Sequence, residues 1–429
     1  MQRRKAEHRM RTLSIQQITD SVRLTSFTDP SFKTMALSAN LLLPLSQETA
    51  AKRGILPSLA SRATIEFPNY TALNTRLSQL YGASVHSSVR KLGDYQVFGL
   101  AASGISSRYA FGGENMAEEL CRILASMLFH PLLDKDGEFP EENFSQEKRQ
   151  LLELKDAEFN DKVAYAHRRC EQLLFQGQPT GIDRYGSRED LAALKRQGLV
   201  DAWNEILDTA RVELFVLGDC TAREAHAFGE LFRPLGSPYP LDRVYFEKPG
   251  EIQRVTEEQP VTQSKLSLGF RMDTQRGERV LFQLMNAVLG GTASSKLFQN
   301  VREKESLCYY CSSGFSWSSC SLTIDSGVDT VNMDRTEEAI FQQIEAMQRG
   351  EVTEEELLYA KLALKNSMGS LQDSLHSVEN WYLGRTFDLP GQTPEQAAEL
   401  LMSYTVEDVV EAARRLEPAV VYRLKGGEC

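Results

Sequence analysis

Apolar and polar positions alternate with a period of two in some parts of the chain and with a helical period in others. The first pattern predicts strands with one buried face, and the second predicts amphipathic helices. Strand periodicity marks 33–45, 84–92, 95–102, 212–217 and 265–270, whereas helical periodicity marks 47–62, 73–80, 114–129, 141–175, 188–208 and 280–289. The interleaving of the two patterns indicates an α+β fold.

Glycine, proline and short polar pairs predict where these elements turn or end. Gly93-Asp94 separates two strand patterns and predicts a hairpin. Pro57 lies inside the first helical pattern and predicts a kink, because an interior proline costs a helix about 3 kcal/mol. A second break is expected near Asn160-Asp161. Gly290-Gly291 is expected to end the last helical pattern, because glycine tolerates the positive φ often found at helix C-termini.

The order of the elements begins again after 232–262, a segment with five prolines. Later segments match earlier ones in the same order, which is typical of an internal repeat. The matched pairs are RLSQLYGASVHSS (76–88) with NVREKESLCYYCSS (300–313), ELKDAEFNDK (153–162) with ALKNSMGSLQDS (363–374), and VELFVLGD (212–219) with AVVYRLKG (419–426). We therefore predict an N-terminal domain over 1–231, a linker over 232–262 and a C-terminal domain over 263–429, with one α+β design in both domains.

Composition and charge restrict the function. The 48 basic and 59 acidic residues give a net charge of −11, which argues against nucleic acid because phosphate binding requires a basic surface. The basic start is followed by polar residues, unlike a signal peptide, and the longest apolar runs are too short to cross a membrane. Seven cysteines, an odd number, suit a reducing compartment. We expect a cytoplasmic protein with no nucleic-acid or membrane partner.

Residues 290–311, GGTASSKLFQNVREKESLCYYC, predict a short helix that leads into a strand. Arg302 follows the apolar stripe of that helix, so its side chain should point toward solvent or a cleft. Tyr309 lies at the start of the strand. An arginine and a tyrosine in this arrangement can converge on one ligand group, and the alternative is a surface arginine beside a half-buried tyrosine.

Cys308 and Cys311 form a CxxC sequence within the same segment. A redox CxxC normally opens a helix, and a zinc site would need further ligands that no second CxxC supplies. Residues three apart on a strand also face opposite sides of the sheet. We therefore expect small buried thiols at these two positions.

The duplicated organisation and SSKLFQNVREKESLCYY (294–310) resemble the M16 (pitrilysin/insulinase-like) metallopeptidase family. The resemblance covers nearly the whole chain. FKTMALSANLLLPL, LSQLYGASV and Asn160-Asp161-Lys162 are most similar to a bacterial branch that lacks the zinc motif. The resemblance implies two homologous halves that form a clamshell, each half a mostly antiparallel sheet packed with helices.

In active members of this family an HxxEH motif binds zinc and supplies the general base. The matching positions in this chain are Pro57, Ala60 and Ser61, which offer neither good zinc ligands nor a base. The six histidines form no HxxEH pair in any register. Glu147 and Glu153 lie where a distal ligand would be sought, and we expect them to be solvated helix charges. The resemblance thus implies that this chain binds no metal and no other cofactor.

Active members also use an arginine–tyrosine pair in the C-terminal half, which matches Arg302 and Tyr309. In some bacterial relatives one subunit keeps HxxEH and the other keeps the pair. The resemblance therefore implies a subunit without catalytic residues of its own, which joins a zinc-bearing M16 homologue in a heterodimer. Arg302 and Tyr309 would then help to bind an extended peptide, and the zinc would belong to the partner subunit.

Two alternatives stay open at this point. The chain could be a non-enzymatic scaffold, acting as a homodimer that binds peptides or proteins. It could also be an independent hydrolase with a metal site elsewhere in the chain.

Overall fold

The computed structural model describes residues 11–235, 238–240 and 246–426. Contacts divide the chain into two compact units, and neither unit is a continuous half of the sequence. The described residues of the first unit are 11–155, 182–235, 238–240 and 375–383, and those of the second unit are 156–181, 246–374 and 384–426. Within these ranges no helix combines the length and the apolar character needed to cross a membrane.

The described residues form one sheet in each unit, with six strands in the first and five in the second. The strands of the first unit are β1 (Thr12–Gln17), β2 (Val22–Thr28), β3 (Thr34–Pro44), β4 (Ser84–Leu92), β5 (Tyr95–Ile105) and β6 (Arg211–Gly218). The strands of the second unit are β7 (Gln253–Gln259), β8 (Ser264–Met272), β9 (Cys308–Ser316), β10 (Ser321–Val328) and β11 (Leu416–Gly426).

Helices cover both sheets, and six of them begin within three residues of a helical start that the sequence periodicity predicts. The α-helices are α1 (Gln47–Gly54), α2 (Leu56–Arg62), α3 (Tyr70–Gln79), α4 (Met116–Phe129), α5 (Glu141–Asp156), α6 (Lys162–Leu174), α7 (Arg188–Ala193), α8 (Leu199–Thr209), α9 (Ala222–Glu230), α10 (Arg279–Asn286), α11 (Met333–Gln348), α12 (Glu354–Ser370), α13 (Leu375–Leu383), α14 (Pro394–Ser403) and α15 (Val406–Arg414). Two further segments, Ala287–Gly291 and Leu297–Lys304, are wound as π-helix.

The two sheets share one topology, apart from β1, which has no counterpart in the second sheet. The strand order is β1-β2-β6-β3-β5-β4 in the first unit and β7-β11-β8-β10-β9 in the second. Each sheet contains one parallel pair, β2 with β6 and β7 with β11, followed by antiparallel neighbours. The edge strands β4 and β9 are therefore equivalent, and the predicted α+β fold with two homologous halves is confirmed.

Each half of the chain contributes one helix to the unit built around the other half's sheet. Helix α6 precedes the proline-rich segment but packs against β8 and β11, where Gly269 leaves room for Leu174. Helix α13 comes late in the chain but packs against β6 of the first unit. There Ser38 and Asn40 donate hydrogen bonds to the Glu379 carboxylate at 2.8 and 2.9 Å. Each unit therefore requires residues from both halves of the sequence.

Part of the predicted linker 232–262 has regular structure. Strand β7 lies inside that range and pairs in parallel with β11 from the end of the chain. The domain boundaries derived from the sequence stay a prediction, because the compact units interleave segments from both sides of this range.

The helical segment 47–62 is interrupted as expected, but an interior proline is not the cause. Helix α1 ends at Gly54 and α2 begins at Leu56, so Pro57 lies in the first turn of a new helix. A proline there loses no hydrogen bond, since the first N–H groups of a helix have no intrahelical partner. The predicted penalty for an interior proline therefore does not apply.

Gly290 is required for a close approach rather than for a positive φ. It lies in the π-helical segment that continues α10, and its φ is not in the left-handed region. A Cβ at this position would lie 2.6 Å from the Ser313 hydroxyl oxygen and 2.7 Å from Leu297 Cδ1. The absence of a side chain allows this segment to pack directly against β9.

Candidate functional site

The positions of the zinc motif lie on α2, in the core of the first unit. Pro57 and Ala60 are buried among apolar side chains. Ser61 is half-buried, and its hydroxyl donates to the Ser58 carbonyl at 3.1 Å. The three positions thus provide apolar packing and one local hydrogen bond.

The carboxylate of Glu147 on α5 is paired with the residue that follows these positions. Arg62 Nη1 lies 2.6 Å from Glu147 Oε1, and Arg62 Nε donates to Asn143 Oδ1 at 3.3 Å. The remaining guanidinium nitrogen donates to Gln146. Glu147 is only 8% exposed, so the expectation that it is a solvated helix charge is wrong. Its charge is balanced by a cation from the degenerate helix.

The second acidic candidate behaves as predicted. The side chain of Glu153 is 69% exposed and lies 3.7 Å from Arg149, one turn earlier on α5. Such an exposed pair contributes little to stability. Glu153 is therefore a surface charge, in contrast to Glu147 on the same helix.

The residues around α2 do not fit a zinc ion. An open pocket of about 340 Å³ lies beside the Arg62–Glu147 pair, with Ser58, Tyr70 and His86 in its wall. Proline and alanine have no donor atoms, and the Glu147 carboxylate is already engaged by a guanidinium. Across the described ranges no group of three or more His, Cys, Asp or Glu side chains is arranged to hold a metal ion.

Arg302 lies in the π-helical segment Leu297–Lys304 of the second unit. Buried Leu297 and Val301 anchor the segment, and Arg302 is directed off their stripe, as the sequence predicts. Its guanidinium carbon lies 4.6 Å from the centroid of the Phe298 ring. The side chain is 38% exposed and lies 3.5 Å from a carboxylate oxygen of Glu303. The arginine is therefore stacked on one side and open to solvent on the other.

Tyr309 lies at the start of the edge strand β9 and is 59% exposed. Ser306, between the π-helical segment and β9, has a left-handed backbone conformation with a φ of 52°. The Tyr309 hydroxyl donates to Asp329 Oδ1 at 3.3 Å. The phenol is thus held at one end and leaves most of its ring exposed.

Arg302 and Tyr309 have separate partners, and no hydrogen bond joins the two side chains. Both lie in one unit within a short stretch of chain, with donor groups on exposed side chains. Their convergence on one ligand stays a prediction.

The sequence pattern missed two partners that shape these positions. Arg62 directly follows the degenerate motif, and a basic residue there was a signal that Glu147 could be paired. Asp329 follows β10 at the end where that strand runs beside β9, so the hairpin register could have placed it near Tyr309.

The fold and the degenerate helix define a metallopeptidase-like protein whose zinc-motif positions carry no metal ligands. Residues 193–364 match the family model described as the peptidase M16 inactive domain. Over these residues the chain is similar to the M16 (pitrilysin/insulinase-like) peptidase family, and its sequence contains no HxxEH motif.

Two curated relatives come from Bacillus subtilis strain 168. The chain is 26% identical over 404 residues to the probable inactive metalloprotease YmfF, which covers 92% of this chain and 94% of that protein. It is also 26% identical over 265 residues to the uncharacterized zinc protease YmxG, which covers 60% of this chain and 61% of that protein. The same bacterium thus has one relative named inactive and one named a zinc protease.

Solved structures match the fold over almost the full length. A conserved protein from Enterococcus faecalis V583 has a TM-score of 0.87 at 28% identity, covering 97% of this chain and 99% of that one. The peptidase M16 inactive domain from Pseudomonas fluorescens has a TM-score of 0.79 at 17% identity, covering 97% and 98%.

Proposed function

We propose that this chain is the zinc-free subunit of a heterodimeric M16 peptidase and that it binds an extended peptide through Arg302 and Tyr309. The observation that carries the proposal is a contrast between two positions. The motif helix α2 has lost every donor needed for zinc, whereas the arginine and the tyrosine keep exposed donor groups.

The position of Tyr309 on an edge strand supports a role in peptide binding. An edge strand has a row of unpaired backbone groups that an extended peptide can pair with, largely regardless of its sequence. Arg302 offers a fixed set of N–H donors for a peptide carbonyl or carboxylate, and the phenol offers an O–H donor. We infer that the peptide lies along β9 with these two donors at one end.

The two Bacillus subtilis relatives support the proposed partnership. One organism carries a homologue named inactive and a homologue named a zinc protease, as expected if the two tasks are divided between chains. The partner would supply the zinc and the general base. This chain alone is then expected to hydrolyse no peptide.

The first prediction concerns Arg302 in the complex with a zinc-bearing homologue. Arg302→Ala is expected to lower kcat/KM by about 10- to 100-fold, the value of a hydrogen bond from a charged donor. Tyr309→Phe is expected to have a smaller effect, because it removes one neutral donor. The measurement is peptide hydrolysis by the two co-expressed chains, with each variant assembled in the same way.

Lys304→Ala is the matched control, because Lys304 is an exposed cation in the same π-helical segment. Its kcat/KM is expected to equal that of the unmodified complex. Equal turnover by the Arg302→Ala and Lys304→Ala complexes would contradict the role given to Arg302. A tight homodimer in light scattering that ignores the zinc-bearing homologue would favour the scaffold alternative.

A further inference from the structure

Helix α12 of the second unit has apolar side chains on two faces. On its inner face Leu357 and Met368 are buried. On its outer face Leu358, Tyr359 and Leu362 have exposed fractions between 43% and 48%. A surface helix usually has charged or polar residues on its outer face. Packing within the second unit therefore does not explain the outer apolar face of α12.

This outer face adjoins a groove between α12 and α14. The groove has a volume of about 550 Å³, and its wall includes Lys365 and Gly369 of α12 and Met402 of α14. Leu358 lies seven residues before Lys365, and Leu362 lies seven residues before Gly369. Because seven residues make about two turns of helix, both leucines share the face of α12 that lines the groove. We call this continuous surface the α12–α14 groove.

Lys361 fixes the position of the two helices along the α12–α14 groove. Its ammonium group donates to the Met402 carbonyl oxygen at 3.1 Å, and it also donates to the Tyr404 carbonyl oxygen. The end of α14 therefore lies beside the middle of α12, where the Met402 side chain is 38% exposed. From Leu358 to Gly369 the apolar face is about 17 Å long, at a rise of 1.5 Å per residue. This length corresponds to about three turns of a bound helix.

The walls of the α12–α14 groove favour a helical occupant. An extended peptide binds through the unpaired backbone groups of a sheet edge. Both walls of this groove are helices, whose backbone groups are bonded within each helix. An amphipathic helix instead binds through apolar side chains at positions i, i+4 and i+7. Methionine suits such a wall, because its flexible side chain adapts to different apolar surfaces.

The charges along the α12–α14 groove favour a basic occupant. Four exposed carboxylates lie on the two helices, those of Glu354, Glu355, Glu395 and Glu399. Lys365 is an exposed cation in the wall, so these five residues carry a net charge of −3. Within the part of the chain that the structure describes, Glu354 and Glu399 form no hydrogen bond or ion pair. Basic side chains of a partner would therefore meet carboxylates that are not already paired.

We propose that the α12–α14 groove binds a basic amphipathic helix of a partner protein. The apolar side chains of that helix pack against Leu358, Leu362 and Met402, and its lysine or arginine side chains lie beside Glu354 and Glu399. A second copy of this chain is a poor occupant. A two-fold interface would bring two identical acidic rims together, and like charges repel each other.

The second prediction concerns the binding of a probe helix to the full chain. The probe is a fluorescein-labelled, amidated peptide of about 14 residues, with leucine on one helical face and lysine on both flanks. We expect fluorescence anisotropy to show saturable binding in the micromolar range, because the buried leucines offset the cost of ordering a short helix. Added salt should weaken this binding, since exposed charges contribute to it.

Two reference peptides separate the contribution of shape from that of charge. In the first, the same amino acids are arranged so that the leucines no longer share a helical face. In the second, glutamate replaces lysine. Each is expected to bind at least about 10-fold more weakly than the probe. Equal affinity for the first peptide, or tighter binding of the second, would overturn the proposal.

Substitutions in the chain locate the bound probe. Leu362→Ser is expected to weaken binding about 10-fold, because it removes the apolar contact of one leucine. Leu154→Ser is the matched control, because Leu154 on α5 is 47% exposed and Leu362 is 43% exposed. The double variant Glu354→Gln/Glu399→Gln should weaken binding and also reduce its dependence on salt. These side chains are exposed, so the thermal unfolding of each variant should match that of the unsubstituted chain.

Other ways of binding give different results. Arg302→Ala should bind the probe as the unsubstituted chain does, because the α12–α14 groove includes neither Arg302 nor Tyr309. Loss of binding in Arg302→Ala, or equal affinities of Leu362→Ser and Leu154→Ser, would overturn the proposal. A dimer in light scattering that Leu362→Ser abolishes would assign the groove to a second copy and would overturn it as well.

Discussion

Arg62 and Glu147 are partly buried, and each neutralises the other. Removal of one partner leaves a charge without compensation, which costs about 3 kcal/mol or more in buried pairs. We therefore expect Arg62→Ala to lower the free energy of unfolding by about 3 kcal/mol. Urea unfolding followed by circular dichroism measures this change.

Arg149→Ala is the control on the same helix, because the Arg149–Glu153 pair is exposed. Its effect is expected to stay within about 0.5 kcal/mol. The double variant Arg62→Ala/Glu147→Ala should recover part of the loss, since it removes both charges. Equal stability of Arg62→Ala and Arg149→Ala would show that the buried pair contributes no more to the free energy of unfolding than a surface pair.

The sequence predicted which residues occupy the zinc-motif positions, but it did not predict the burial and pairing of the side chains around them. The identities of Pro57, Ala60 and Ser61 are enough to show that these positions lack good zinc ligands. The burial of Glu147 is not, because most glutamates on amphipathic helices are exposed and the periodicity does not name a partner from another helix. The ion pair depends on how α2 and α5 pack, which is a tertiary property.

Among the elements, the π-helical end of α10 and strand β9 approach each other at Gly290. A Cβ there would lie 2.6 Å from the Ser313 hydroxyl oxygen, so Gly290→Ala forces either the helix or the strand to move. Overpacking of this kind costs about 1–3 kcal/mol. We expect a loss of that size in thermal or urea unfolding.

Gly314→Ala on the same strand is the matched substitution, because a Cβ at Gly314 would meet nothing within 4 Å. Its effect on the free energy of unfolding is expected to stay within about 0.5 kcal/mol. Similar losses of unfolding free energy in the two variants would mean that the atoms around Gly290 can move apart at little cost.

The strand elements were predicted more reliably than their register. Alternation of apolar and polar residues located β3, β4 and β5 within a few residues of their observed bounds. In β9, Gly327 pairs with Tyr310 and Val328 with Cys308, so Tyr309 is an extra residue that forms a β-bulge. The bulge carries no such signal, because a single extra residue leaves the composition of a strand unchanged. It nevertheless decides which side chains share a face, so the expectation that Cys308 and Cys311 face opposite sides is wrong.

For the molecule as a whole, the exchange of α6 and α13 makes each unit depend on both halves of the chain. A fragment 1–231 would lack α13, and a fragment 232–429 would lack α6. In the second fragment, the apolar side chains of β8 and β11 that pack against α6 would face water. We therefore expect neither fragment alone to give a cooperative thermal transition.

Co-expression of the two fragments, with an affinity tag on one, is expected to yield a complex that contains both. Its thermal transition should resemble that of the intact chain. A soluble fragment 1–231 that unfolds cooperatively at the temperature of the intact chain would contradict the importance of the exchange.

The repeat and the fold class could be predicted because the same order of strand and helix patterns occurs in both halves of the sequence. The exchange could not, since a repeat reveals which elements correspond and not which sheet each helix covers. The matched segments 153–162 and 363–374 lead directly into α6 and α13. Which sheet each of these two helices packs against is known only from the contacts of α6 and α13 in the structure.

The late position of α13 also has a consequence for synthesis on the ribosome. The hydrogen bond from Ser38 to Glu379 spans 341 residues of sequence, so the first sheet has to wait for its covering helix until most of the chain has been translated. During that interval Ser38 and Asn40 lack the Glu379 carboxylate that accepts their hydrogen bonds in the folded chain. We therefore expect the first unit to be completed near the end of translation, together with the second unit and not before it.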